Sequence, residues 1–241
     1  MRFWRRKNPG TKSINRYYDG EFVAAQVKAR RHRALVGGMW DEIGALQFEY
    51  VRAHGLAPDM YFLDVGCGCL RGGVHFIRYL DARRYHGIDL SEQLLDVGFK
   101  TELGQAGLQH KLPRENLRCT DGFDATDFGV DFDMALALSV FTHLTLNHLK
   151  LSLIRLAKVI KPGGRFFVTV FHSPDSHDWS QPLLHTPGDI TTYPDRDPFH
   201  YCRDDLVFRE HTLPWRLEEL EQWNHPRDQW MAVFVRTEDT A

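Results

Sequence analysis

The chain has few of the features that mark exported, membrane-spanning or zinc-ribbon proteins. Cysteine occurs only at Cys67, Cys69, Cys119 and Cys202, and no two of these form a C-x-x-C pair. A paired-thiol metal or redox motif is therefore absent, and reduced thiols of a cytoplasmic protein are expected. Long hydrophobic runs are missing as well, since stretches such as "DMALALSVF" fall far short of the roughly 20 apolar residues that cross a bilayer. The first residues have no apolar core of the secretory kind, so Arg5 and Arg6 are not expected to form a twin-arginine signal. Neither sign of charge dominates: 30 Lys and Arg face 32 Asp and Glu, a net charge of −2. No internal repeat and no low-complexity tract is visible.

What is present is ordinary globular composition, 43% hydrophobic and 26% charged over 241 residues, enough for one large α/β domain. Charge is uneven along it. "MRFWRRKNPGTK" carries only basic charge together with Phe3 and Trp4. Residues 1–20 therefore read as a basic terminal arm, either solvated or in weak contact with an anionic membrane surface or nucleic acid. Residues 21–57 read as a helical cover, with "WDEIGALQFEYVRAHGL" a helix opened by Asp41 at its N-cap and closed by Gly55.

From residue 58 to 241 short apolar runs alternate with helix-period stretches, which predicts βαβ units and a parallel sheet. The strands are expected at "MYFLDV", "YHGIDL", "ENLRCTD", "DFDMALALS" and "RFFVTVF". A helix from about Gly72 follows the first, and Ser91 is expected to cap the helix after the second. Leu146, Leu149, Leu153, Leu156 and Ile160 give one apolar helix stripe, which the run Lys161, Pro162, Gly163, Gly164 ends. Residues 172–201, rich in Pro, Asp, His and Ser, read as a long functional loop, a substrate lid. A short helix near "RDDLVFRE" and two terminal strands that pair as a hairpin complete the chain.

The chemistry concentrates in "YFLDVGCGCLRGGVHF". Ligands of open parallel sheets bind beyond the carboxyl ends of the strands, and the first strand-to-helix turn lies there. Gly66, Gly68 and Gly72 let that turn bend and let a ligand reach main-chain N–H groups. Asp89 ends the second strand, 25 residues after Asp64, where a carboxylate accepts hydrogen bonds from both ribose hydroxyls. A nucleoside-containing cofactor is expected. An aspartate ending the first strand suits a cationic sulfonium better than a pyrophosphate, which it would repel, and no Tyr-x-x-x-Lys pair of a short-chain dehydrogenase is present.

"LDVGCGCLRGG" resembles the first motif of class I methyltransferases that use S-adenosyl-L-methionine (SAM), and the rest of the family layout follows in order. "YHGIDLS", "CTDGF", "DFDMALALSVFTHL" and "LAKVIKPGGRFFVTV" stand where that family has its ribose strand, adenine turn, fourth strand and fifth strand. The resemblance covers about residues 60–172 and the terminal hairpin. It implies a doubly wound, mostly parallel seven-stranded sheet with an antiparallel C-terminal hairpin, and SAM as cofactor. By the same resemblance Asp64, Gly66, Cys67 and Gly68 would hold the methionine part, and Asp89 and Leu90 the ribose. Asp121, Gly122 and Phe123 would meet the adenine, and Ser139 would lie below the sulfonium. The family's third glycine is replaced by Cys69, and Gly72 and Gly73 are expected to restore room.

Methyl transfer from SAM is an in-line displacement in which alignment in a dry site does most of the work, with a base helping a hydroxyl acceptor. His143 and His172, just after the fourth and fifth strands, are the candidate catalytic bases, each with packing as its competing role. His172, His177, His185, His200, His211 and His225 show no i, i+4 metal pair, so no resident metal is expected. The (N/D)-P-P-(Y/F) motif of amino-methylating nucleic-acid enzymes is replaced by "LSVF" and no Pro-Cys pair occurs, which makes nucleic acid an unfavoured acceptor. The lid composition, with Trp179, Tyr193 and Phe199, favours a hydroxyl of a small polar or saccharide acceptor. A natural-product amine or phenol, or a non-catalytic SAM-binding protein, is the alternative. "RALVGGMWDEIGALQFEYV" resembles the front segment of a group of bacterial methyltransferases, and puts Trp40 and Gln47 as candidates at the cavity entrance.

Overall fold

A computed structural model describes residues 15–209 and 212–238. Most of the expected basic arm, residues 1–14, and His211 lie outside the described residues. The sheet strands are β1 (Phe62–Val65), β2 (Tyr85–Asp89), β3 (Leu117–Cys119), β4 (Phe132–Ala137), β5 (Ile160–His172), β8 (His200–Tyr201), β9 (Trp215–Gln222) and β10 (Gln229–Arg236). A separate hairpin pairs β6 (Leu183–His185) with β7 (Ile190–Thr192). The helices are α1 (Gly20–Lys28), α2 (His32–Leu35), α3 (Trp40–Ala53), α4 (Gly73–Tyr79), α5 (Glu92–Val97), α6 (Leu103–Ala106) and α7 (Leu146–Leu156).

The strand order β3-β2-β1-β4-β5-β10-β9 is parallel through β5 and antiparallel across the terminal hairpin. Order reverses between β1 and β4, the place where open α/β sheets bind ligands. The pleat sends alternate side chains to opposite faces. Leu63, Val65, Phe166, Val168 and Val170 pack on one face with Leu149, Leu153 and Leu156 of α7. Phe62, Met134, Leu136 and Phe167 pack on the other with α3 and α4, through Ile43, Val51, Phe76 and Ile77. Burial on both faces explains why these strands read as nearly continuous apolar runs.

Several expectations are corrected. The sheet holds eight strands, because β8 joins β5 in parallel through Phe171 opposite His200 and His172 opposite Tyr201. β5 begins at Ile160, so Ile160 belongs to the strand and the Lys-Pro-Gly-Gly run is part of it. Asp41 sits in the first turn of α3; the N-cap is Met39, in a left-handed conformation at φ 45°. Residues 172–201 hold the β6–β7 hairpin and β8, which a scan for long periodic runs passes over because each is only two or three residues long. Within "RDDLVFRE" the described residues hold a single 3-10 turn, Asp204–Leu206. Ser91 caps α5 as expected, its hydroxyl accepting from the Leu94 N–H at 3.3 Å.

Candidate functional site

A cavity opens at the carboxyl ends of β1, β2, β3 and β4, and ten of the twelve candidate residues line it: Asp64, Gly66, Cys67, Gly68, Asp89, Leu90, Asp121, Phe123, Ser139 and His143. Gly122 and His172 do not. The turn after β1 is left-handed at Gly66 (φ 73°) and Gly68 (φ 54°). A Cβ on Gly66 would stand 2.4 Å from Val140 Cγ2, so position 66 has room for glycine alone. Cys69 is fully buried and takes no left-handed conformation; the next left-handed residue is Leu70 (φ 69°). Gly72 does not supply backbone freedom either. Its role is space, since a Cβ there would fall 2.3 Å from the Gln47 amide carbon.

Both aspartates are buried and held. The Tyr85 hydroxyl donates to Asp64 Oδ2 at 2.6 Å. Burial pushes the Asp64 carboxyl up to about 7, the Tyr85 bond opposing and the Asp89 charge adding to the rise. Asp89 receives the Gly68 N–H at 2.9 Å on Oδ2 and the Ser91 N–H at 2.8 Å on Oδ1. Burial raises it to about 6 against the pull of those bonds. Asp89 thus ties the end of β2 to the glycine turn of β1, while each oxygen keeps a lone pair for another donor.

The turns after β3 and β4 carry Phe123 (φ 58°) and Ser139 (φ 55°), both left-handed without being glycine. Such strain persists where surroundings enforce it. At Ser139 the enforcement is visible: its N–H donates to Thr169 Oγ1 at 2.7 Å and its hydroxyl to Gln229 Oε1 at 2.9 Å.

His143 Nδ1 lies 2.5 Å from Asp197 Oδ1, and the Tyr17 ring meets the imidazole edge-on at 5.6 Å. With a carboxylate as partner, Nδ1 is the donor of this hydrogen bond. His172 instead sits beside β8 with its ring 4.4 Å from that of Trp230. It is half-buried, and burial holds its pKa below the ordinary value. His172 pairs with Tyr201 of β8 and lies outside the cavity lining.

Three lining residues come from the start of the described chain: Asn15, Tyr17 and Tyr18. Asn15 Nδ2 donates to the His143 carbonyl at 2.9 Å, and the Tyr17 hydroxyl to the Leu35 carbonyl at 3.2 Å. Of the two entrance candidates, Gln47 lines the cavity and Trp40 does not; Trp40 lies under the Arg33 guanidinium at 4.5 Å. Sequence reasoning missed Asn15, Tyr17, Tyr18, Arg71 and Asp197. Only Arg71 left a signal, as a charge inside a glycine-rich apolar turn.

No residue of the 172–201 segment lines the cavity. Phe199 is buried in the core, Tyr193 stacks under Arg196 at 3.8 Å, and Trp179 is exposed. The lid histidines bond one another's neighbours: His185 Nε2 to Thr192 Oγ1 at 2.9 Å, that oxygen to His200 Nδ1 at 2.9 Å, and His200 Nε2 to the Trp179 carbonyl at 2.9 Å. Among the described residues, one group has ligand atoms close enough to share a metal, His54 with Glu219 and Glu221, and none of these lines the cavity.

Residues 63–166 match the family model described as a methyltransferase domain. A magnesium protoporphyrin IX methyltransferase from Synechocystis PCC 6803, solved with bound SAM, has a TM-score of 0.61 at 14% identity, covering 94% of this chain and 100% of its own. A SAM-dependent methyltransferase from Clostridium acetobutylicum gives 0.58 at 14%, covering 92% of this chain and 99% of its own. The CcbJ methyltransferase from Streptomyces caelestis gives 0.60 at 13%, covering 81% and 90%. Identities this low carry the likeness of fold alone.

Proposed function

We propose, for a chain whose residues 63–166 match a methyltransferase-domain family model, methyl transfer from SAM to a hydroxyl of a small polar acceptor, a saccharide being the leading class. The residues fit the cofactor: a glycine-only turn, two buried carboxylates and two orphaned buried donors line one cavity. Asp64 would take the ammonium of the amino-acid end and Asp89 the ribose hydroxyls. Cys67 and Leu90 would pack beside them, Asp121, Gly122 and Phe123 would meet the adenine, and Ser139 would lie near the sulfonium. When bound, SAM supplies an electrophilic methyl group.

The observation that carries the hydroxyl reading is the His143–Asp197 pair. Asp197 holds Nδ1–H and fixes the tautomer, leaving Nε2 to take the acceptor's proton as its oxygen attacks. Asn15, Tyr17 and Tyr18 bring polar tips and ring faces to the same cavity, which suits a hydroxylated acceptor. The lid aromatics lend no support, so the saccharide assignment rests on these three residues.

The test is a radiolabelled-methyl screen of monosaccharides, phenols and amines, run beside His143→Gln. Methylation of hydroxyl compounds alone, reduced in the variant at unchanged SAM affinity, is the expected result. Methylation of amines alone would overturn the hydroxyl reading, and SAM binding without turnover on any compound would favour the non-catalytic alternative.

A further inference from the structure

Two buried donors in the cavity have no hydrogen-bond partner: Arg71 Nε and Gln47 Nε2. Arg71 is 7% exposed and Gln47 3%. An unpaired buried cation is costly, and proteins normally place a carboxylate beside one. Among the described residues none lies within ion-pair distance of Arg71. Its Nη1 donates only to the carbonyls of Val36 and Gly38, at 2.9 and 3.0 Å. The positive charge is reinforced rather than neutralised nearby. A Cβ on Gly37 would lie 2.9 Å from Arg227 Nη1 and 3.6 Å from Arg71 Nη1, so two guanidinium groups flank that glycine. Burial pulls the Arg71 guanidinium down to about 10, which leaves it charged at neutral pH.

The two donors are brought together by glycines. A Cβ on Gly44 of α3 would meet the Arg71 carbonyl at 2.9 Å, and one on Gly72 would meet the Gln47 amide. Helix and turn therefore touch without side chains between them, and Gln47, one turn along α3 from Gly44, reaches the turn that carries Arg71.

We infer that Arg71 and Gln47 form a carboxylate-binding subsite that receives the α-carboxylate of SAM, a deepening that rests on the cofactor reading above. Arg71 Nε–H and the Gln47 amide donate to the carboxylate oxygens, while Asp64, in β1 just before that turn, faces the ammonium. The amino acid's two charges are thus sorted between opposite partners.

Isothermal titration tests this with SAM, decarboxylated SAM and 5′-methylthioadenosine. Wild type is expected to bind SAM at least about tenfold more tightly than decarboxylated SAM, a comparison that needs no variant. Arg71→Met should weaken SAM by tenfold or more and leave decarboxylated SAM unchanged, erasing the preference; Gln47→Leu should erase part of it. Equal binding of the two ligands by wild type, or an Arg71→Met loss equal for both, would overturn the subsite and assign Arg71 to holding the Val36–Gly38 loop. Failure of all three ligands to bind would overturn the nucleoside reading itself.

Discussion

The cavity at the carboxyl ends of β1 to β4 and the lid between β5 and β8 are both dense in polar side chains, yet they treat them oppositely. In the lid, His185, Thr192, His200 and the Trp179 carbonyl close a chain of hydrogen bonds. In the cavity, two carboxylates are raised toward neutrality by burial, and two donors are left without partners. Satisfied polar groups stabilise a shape; unsatisfied buried ones cost stability unless a ligand completes them. Histidine-rich composition drew attention to the lid, whereas the unpartnered donors that line the cavity are Arg71, just after the glycine turn, and Gln47 of α3.

His143 joins the two regions, because it lines the cavity and is held by Asp197 of the lid segment. Replacing it with Gln is expected to lower turnover by about 10²- to 10³-fold at unchanged SAM affinity, measured by steady-state kinetics and titration. Unchanged turnover would leave the lid with no link to the chemistry. Asp89→Ala should weaken S-adenosylhomocysteine binding by roughly 10- to 50-fold, for loss of hydrogen bonds to a charged group. The same variant frees the Gly68 and Ser91 N–H groups, so a lower melting temperature should accompany the loss.

A third, smaller effect concerns pH. Asp64 has a folded-state pKa of about 7 against an ordinary 3.8, so the folded protein keeps a proton that the unfolded chain gives up. Fold stability without ligand therefore falls as pH climbs from about 4 through about 7. A bound ammonium favours the ionised carboxylate. Affinity for S-adenosylhomocysteine should rise roughly tenfold across that window, level off above it, and flatten in Asp64→Asn, with Asp89 adding its own rise near 6. A flat wild-type profile would separate Asp64 from the ammonium. Least of all, His200→Ala should lower the melting temperature by about 3–6 °C and leave ligand affinity within about twofold. A large loss of affinity there would break the contrast between the two regions.

How far the sequence disclosed this follows from distance along the chain. The parallel strands were legible because both their faces are buried, and Asp64 and Asp89 because each ends such a strand. β6, β7 and β8 were not, since they are two or three residues long and owe their form to tertiary partners. Asp197 lies 54 residues from His143, a pairing that no local pattern encodes. Asn15, Tyr17 and Tyr18 were hidden behind a basic segment whose charge suggested solvent, while their side chains line the cavity. His172 was misleading for a related reason: expected just after the fifth strand, it is the last residue of β5, where it pairs with Tyr201 of β8, and that pairing is not local information.

The contact between α3 and the glycine turn has an evolutionary consequence. Gly44 and Gly72 leave no side chain between helix and turn to absorb a change, since a methyl group at either place would collide with the Arg71 carbonyl or the Gln47 amide. Positions 44, 47, 71 and 72 are therefore expected to change together. Homologous chains that keep one of these residues should keep all four, and chains that abandon one should have rebuilt the covering helix and the turn together.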